Sequence, residues 1–275
     1  RAADFYGFDV YKRAPLPTVA IPTTAGTGTE VTPYSVLVGV AANDKRTIGG
    51  TALFPRVAIL DPETTVSMPR DVTIHTGLDA LSQGIEGILS TSAMPVSDAL
   101  ALETIRLVID WLPVAADEPE NLEARAWMLH AAMLSGIVVA QTGTTLVHGM
   151  GYLYTTECGV AHGLANALLL PPLLEYDAAY APEQTQAIAA ALGETCGPRA
   201  AGGVAATLVR QFVQRLGMSP RAGDHGVHRE LLAEFAQRND PNETRFKKQL
   251  WRPTESDVLE LYEASFRGGD LIGKR

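Results

Sequence analysis

Residues 77–90 read GLDALSQGIEGILS, and their spacing decides how the chain divides. Leu78, Leu81, Ile85 and Ile88 recur at the three- and four-residue intervals that gather side chains on one face of an α-helix. Asp79 and Gln83 stand four residues apart, so they point the same way from that helix. Asp79 is bracketed by apolar residues, which places its carboxyl near the buried side. A buried carboxyl needs a hydrogen-bond partner, a cation or a metal.

Downstream of about Thr73 the helical pattern continues. Residues 97–113 form a helix in which Ser97 is the expected N-cap and Pro113 the stop. Residues 121–143 are long, Ala-rich and strongly helical. HGLANALLLPPLLEY (162–176) is a helical run that Pro171 and Pro172 are expected to break. Residues 184–217 and 229–238 also read as helices, and a last helix is expected from Thr254, with Thr254 and Ser256 as cap candidates.

Upstream the texture changes, with short apolar runs broken by Gly, Pro and Thr. LPTVAIPTT (16–24) reads as a strand entering a loop, YSVLVGV (34–40) as a β-type run, and RVAILDP (56–62) as a buried strand stopped by Asp-Pro. Between the last two, ANDKRTIGG carries turn chemistry. The expected architecture is α/β: a remnant of a Rossmann-like nucleotide-binding domain (1–68) followed by an all-helical metal- and substrate-binding domain (69–275).

The loop PTTAGTGTEVT (22–32) follows its strand directly. Small side chains let backbone N–H groups approach an anion, and threonine hydroxyls add donors. This is a phosphate- or dinucleotide-contact loop by type, although a tight packing turn has the same composition. It is neither a GxGxxG fingerprint nor a Walker A loop, because no Lys-Ser/Thr follows the glycines.

The bulk numbers narrow the partners. The 275 residues suffice for one large or two moderate domains. A net charge of −9, from 22 basic and 31 acidic side chains, argues against a nucleic-acid or anionic-membrane partner. No stretch is read as a transmembrane helix, and the N-terminus lacks a signal-peptide pattern. Two cysteines, Cys158 and Cys196, read as unpaired thiols and suggest a reducing cytoplasm.

Of six histidines, His148 and His162 flank a Gly-rich stretch, HGMGYLYTTECGVAHG. One Asp and two His form a credible ligand set for Zn(II) or Fe(II). Asp79 as a first-turn carboxylate and His148 as a hydrogen-bonded core residue remain open beside it. His75 precedes the Asp79 helix and reads as a surface or capping residue, with lining of the same cleft as the alternative; His130 reads as structural, His225 and His228 as solvated.

These segments, in this order and spacing, resemble the iron-containing (group III) alcohol dehydrogenase family, which has a dehydroquinate synthase-like fold. The matching stretches are PTTAGTGTE (22–30), LDP (60–62), GLDALSQGIE (77–86), HGMGY (148–152) and AHGLANALLLP (161–171). The resemblance implies an oxidoreductase that uses NAD or NADP to interconvert a small alcohol and its aldehyde or ketone. It implies Fe(II) or Zn(II) held by Asp79, His148, His162 and the residue at position 83. That metal would polarise the substrate oxygen while hydride passes to or from the nicotinamide. It places Thr23, Thr24, Ala25, Gly26, Thr27 and Thr32 on the nicotinamide side, Lys45 near the ribose, and Thr64, Val66 and Met68 at the cleft border. A cytoplasmic homodimer is expected.

Three departures qualify the resemblance. Gln83 stands where the family has a histidine ligand. Tyr152 occupies a position that is often histidine, and is expected near the substrate oxygen as a pocket wall or proton donor. Nothing before Tyr11 resembles the family's Gly-Gly-Gly-Ser phosphate loop, so the nucleotide site is expected to be at best half complete. Two other classes therefore stay open. One is a degenerate member with weak or absent metal binding. The other is a metal-dependent lyase or synthase of the same fold, which would need Lys and Arg near the metal.

Overall fold

The computed structural model describes residues 2–39, 44–239 and 246–271. Among the described residues the N-terminal part carries five short strands: β1 (Gly7–Phe8), β2 (Val19–Ala20), β3 (Tyr34–Gly39), β4 (Asp44–Gly49) and β5 (Val57–Ala58). Strands β3 and β4 pair antiparallel, with Ser35 opposite Ile48 and Leu37 opposite Arg46, and β1 adds to β4 in parallel. Strands β2 and β5 form a separate parallel pair, Val19 opposite Val57. Most of the segment read as a turn, ANDKRTIGG, is therefore strand: Asp44–Gly49 lies on the β3 ladder, where paired backbone groups outweigh the polar side chains. The run 56–62 does contain a strand, but not a buried one, since Val57 and Ile59 are exposed.

Nine helices follow among the described residues: α1 (Arg70–Ile88), α2 (Pro95–Asp117), α3 (Leu122–Thr142), α4 (Leu146–Cys158), α5 (His162–Asp177), α6 (Pro182–Ala191), α7 (Ala201–Arg215), α8 (Leu232–Arg238) and α9 (Glu255–Arg267). Helix α1 is the hub, packing against α2, α3 and α5, while α5 also packs on α4, α7 and α9. Leu78, Leu81 and Ile85 are fully buried. Each such side chain contributes roughly 1.5–3 kcal/mol by burial.

Several helix boundaries differ from the sequence expectation. Helix α2 starts two residues before Ser97, with Met94 as N-cap. Ser97 instead sits at the third helical position, and its hydroxyl accepts from the Met94 N–H at 2.8 Å. Pro113 lies inside α2, and Pro171 and Pro172 lie inside α5. A proline in a helix interior costs about 3 kcal/mol, but all three are buried, and the packing of the flanking turns carries the helix through. At α9 the cap expectation holds at Thr254: its hydroxyl accepts from the Asp257 N–H at 3.2 Å, and the Asp257 carboxylate returns the contact to the Thr254 N–H at 2.9 Å. Helix α3 corrects the membrane reading. By length and composition it could cross a bilayer, yet more than half of its apolar window is buried among the other helices.

Candidate metal centre and nucleotide-side loop

Three helices bring Asp79, His148 and His162 together, and their ligand atoms lie within 4.8 Å of one another. Oδ1 of Asp79 is 3.4 Å from Nε2 of His148 and 3.7 Å from Nε2 of His162. Asp79 sits mid-α1, His148 in the first turn of α4 and His162 at the first position of α5. The α1–α5 crossing depends on Gly163. A Cβ there would lie 1.8 Å from the His75 carbonyl oxygen, so any side chain would push His162 away from Asp79.

Glu86, two turns after Asp79 on α1, organises the second wall. It is wholly buried. Its Oε1 accepts from the Thr145 N–H at 2.9 Å, the Thr145 hydroxyl at 2.7 Å and the His148 N–H at 3.3 Å, so it caps α4 from a neighbouring helix. Its Oε2 meets Nδ1 of His148. This holds Nε2 toward Asp79 and His162, the arrangement by which carboxylates orient metal-ligating imidazoles. Burial alone would push the His148 pKa down, but the charge of Glu86 and the hydrogen bonds to Asp79 and Glu86 push it up to about 10. Asp79 is held below the ordinary carboxyl range: burial acts upward, and the hydrogen bond and charges of the two histidines outweigh it.

A carboxylate and two imidazole nitrogens converging in a largely buried cluster fit a borderline ion such as Fe(II) or Zn(II). The electrostatics fit as well, because Asp79 lies among groups that favour its negative form. A metal would replace the proton between His148 and Asp79 as the balancing charge.

Gln83 reaches the cluster differently from the three others. Its Nε2 donates to Oδ2 of Asp79 at 3.0 Å, and its Oε1 accepts from the Ser135 hydroxyl of α3 at 2.8 Å. The Gln83 carbonyl oxygen thus faces α3, and its amide nitrogen faces Asp79. Asn166, one turn after His162, donates to Oδ1 of Asp79 at 3.2 Å and lies 3.4 Å from Nε2 of His162. The Tyr152 ring stacks on His162, centroids 5.3 Å apart, and so walls the cluster.

The Thr/Gly loop docks beside this centre. A Cβ on Gly26 would lie 2.5 Å from the Thr76 carbonyl of α1, and one on Gly28 would lie 2.4 Å from Cα of Gly136 in α3. Both glycines are needed for close packing, and Gly28 also adopts a left-handed φ of 60°. Within the loop Ala25 and Gly26 are buried, Thr24 is half-buried, and Thr23 and Thr27 are exposed. The Thr27 and Thr29 hydroxyls are 2.9 Å apart, and buried Thr32 reaches back to the Thr29 carbonyl at 3.5 Å. Thr64 joins the cleft-border segment to the loop through a 2.7 Å bond to the Pro22 carbonyl, with Val66 half-buried and Met68 buried beyond it. Lys45 belongs to β4, and its side chain lies outside the described residues. Glu30, at the loop's end, is buried, and that burial pushes its carboxyl pKa up.

Among the described residues, the remaining histidines do not join the Asp79–His148–His162 group. His75 is half-buried, and burial lowers its pKa. His130 packs edge-on against Trp127. His225 is half-buried against the Ser219 carbonyl at 2.8 Å, so it is less solvated than its loop suggested, whereas His228 is exposed. Sequence reasoning passed over Glu86, Ser135, Asn166 and Thr145. Glu86 had a local signal, seven residues from Asp79 on the same helical face, and Asn166 stands four from His162. Ser135 and Thr145 had none, because they arrive from other helices.

Comparison with known proteins places the chain in a family. A family profile described as the C-terminal part of the Fe-containing alcohol dehydrogenase family matches residues 73–266, and one described as iron-containing alcohol dehydrogenase matches residues 2–62. The chain is 34% identical over 222 residues to the probable alcohol dehydrogenase EutG of Escherichia coli, covering 81% of this chain and 55% of that protein. It is 33% identical over 242 residues to the NAD-dependent methanol dehydrogenase of Bacillus methanolicus, covering 86% and 64%. The solved iron-containing alcohol dehydrogenase of Thermotoga maritima superposes with a TM-score of 0.81 at 36% identity, covering 96% of this chain and 67% of that one. The chain therefore spans 55–64% of the length of these curated relatives. With profiles matching both its α/β part and its helical body, it belongs to the iron-containing alcohol dehydrogenase family.

Proposed function

We propose that the protein is an NAD(P)-dependent oxidoreductase that interconverts a small alcohol and its aldehyde or ketone. The convergence of Asp79, His148 and His162 carries this reading, because it is a three-donor cluster lying beside a loop of dinucleotide-contact type. These three residues would hold Fe(II) or Zn(II). When bound, the ion supplies Lewis-acid polarisation of a substrate oxygen.

The chain's own groups define the rest. Glu86 fixes the tautomer and direction of His148. Asn166 and Gln83 each donate to one oxygen of Asp79, so its carboxylate keeps a single orientation. Tyr152 excludes water from the face of His162 by stacking, and its part is that of a wall. The small residues of the loop leave backbone N–H groups approachable, which suits a nicotinamide nucleotide. A domain division near residues 68 and 69, a cytoplasmic location and a homo-oligomeric state belong to the same reading. The location is supported by two free cysteines, Cys158 and Cys196.

The test is nicotinamide absorbance against a panel of short alcohols with NAD or NADP, and of aldehydes with the reduced forms, with and without added Fe(II) or Zn(II). Metal-dependent turnover is expected, abolished by Asp79→Ala and kept within about fivefold by Tyr152→Phe, since a wall needs the ring and not the hydroxyl. A folded protein that is silent across the panel would instead favour the non-catalytic class.

A further inference from the structure

We propose that Gln83 is a positioning residue rather than a ligand: with Ser135 it forms a strut that turns Oδ1 of Asp79 toward His148 and His162. This inference rests on the metal reading above and deepens it.

The argument is one of donor and acceptor inventory. An Asp carboxylate only accepts hydrogen bonds, so the end of the Gln83 amide that faces Oδ2 of Asp79 at 3.0 Å must be the NH2 end. An amide nitrogen has no available lone pair for a metal. The one metal-capable atom of the side chain, Oε1, then points to the Ser135 hydroxyl at 2.8 Å. That hydroxyl is wholly buried and offers a single proton, which faces Gln83 Oε1 and the Ala132 carbonyl, both at 2.8 Å, with the Gly26 carbonyl farther off at 3.5 Å.

Gln83 is thus held at both ends. Rotating Oε1 into the cluster would break the bond to Asp79 and leave a buried Asp79 oxygen short of a partner, while the Ser135 proton would pass wholly to the Ala132 carbonyl. Gln83 and Ser135 are both buried, and between buried groups such bonds are stronger than at the surface, which favours the strut over a weak carbonyl ligand. Oδ2 of Asp79 is consumed by the strut. Oδ1 remains the oxygen nearest both imidazoles, steadied from its other side by Asn166 at 3.2 Å. The ion would then have three protein ligands.

Two variants separate the strut from a ligand role: Gln83→Leu, which cannot bond at either end, and Ser135→Ala, which removes the far support and leaves the amide in place. Co(II) is the probe, read by visible spectrum and by competition with a chromophoric chelator. Both variants are expected to weaken Co(II) binding by ~10–100-fold, the range for groups that orient a ligand, with band positions unchanged. A shifted spectrum in Gln83→Leu, or Ser135→Ala affinity within about twofold of wild type, would overturn the proposal.

A second arm uses the metal-free protein. The melting-temperature losses of the two variants should be non-additive in the double variant, because both remove one chain of bonds. Strictly additive losses contradict the strut. If the wild type takes up no Co(II), the metal reading fails, and this metal-free cycle alone decides the role of Gln83.

Discussion

The helical body and the N-terminal α/β part solve the problem of burial in opposite ways. In the body, apolar residues such as Leu81, Ile85, Ile105 and Leu112 are wholly buried, and so are polar groups that have partners, among them Glu86, Ser135 and Thr145. In the α/β part, Val19 and Val57 stand exposed on the two-residue strands β2 and β5, and Ile21 and Ile59 stand exposed just beyond them. A sheet that small has little core of its own. The candidate chemistry follows the same division: every member of the metal cluster comes from the body, while the α/β part contributes a loop that leans on it through Gly26 and Gly28.

The largest expected effect breaks the polar interior of the body. Glu86→Leu strands three donors at the start of α4 and the His148 ring, and should destabilise by about 3–5 kcal/mol in urea titrations. A loss under about 1 kcal/mol would mean that the α4 cap is dispensable. Next, Leu81→Ala should cost about 2–5 kcal/mol, as a cavity in a close-packed core does.

A smaller effect of opposite sign comes from Asp177 at the end of α5. Burial pushes its pKa up to about 7, against the hydrogen bonds from Trp251 and Gln249. Between about pH 4 and 7 the folded state therefore holds a proton that the unfolded chain has released, so stability falls as pH rises through that window. Asp177→Asn should flatten this slope and gain about 1–3 kcal/mol at pH 8. A variant with the wild-type slope would place the titration elsewhere. The smallest effect lies in the α/β part: Ile21→Ser and Val57→Ser should each stay within about 0.5 kcal/mol of wild type. A loss comparable to Leu81→Ala would show that the exposed β2–β5 face is packed in solution, and the contrast between the two regions would fail.

The legibility of the sequence divides along the same line. Helix α1 was readable because Leu78, Leu81, Ile85 and Ile88 keep a helical period, and the Thr254 cap because its partner Asp257 is three residues away. The prolines misled because their effect was judged locally, whereas burial of Pro113, Pro171 and Pro172 among neighbouring helices is a tertiary term. ANDKRTIGG misled because ladder pairing with β3 is not visible in polar composition. At the site, the residue types and helical offsets brought Asp79, His148 and His162 forward as one set. The direction of Gln83 was not legible, since it depends on Ser135, fifty-two positions away on α3.

In the proposed reading, Asp79, His148 and His162 of the helical body hold a metal. Protein incubated with micromolar Fe(II) or Zn(II), desalted and analysed for metal, tests it most directly. The account predicts about one ion per chain in the wild type, and near-complete loss in Asp79→Ala and in His148→Ala that remain folded by circular dichroism. No stoichiometric uptake by the wild type, or equal uptake by the folded variants, would contradict it.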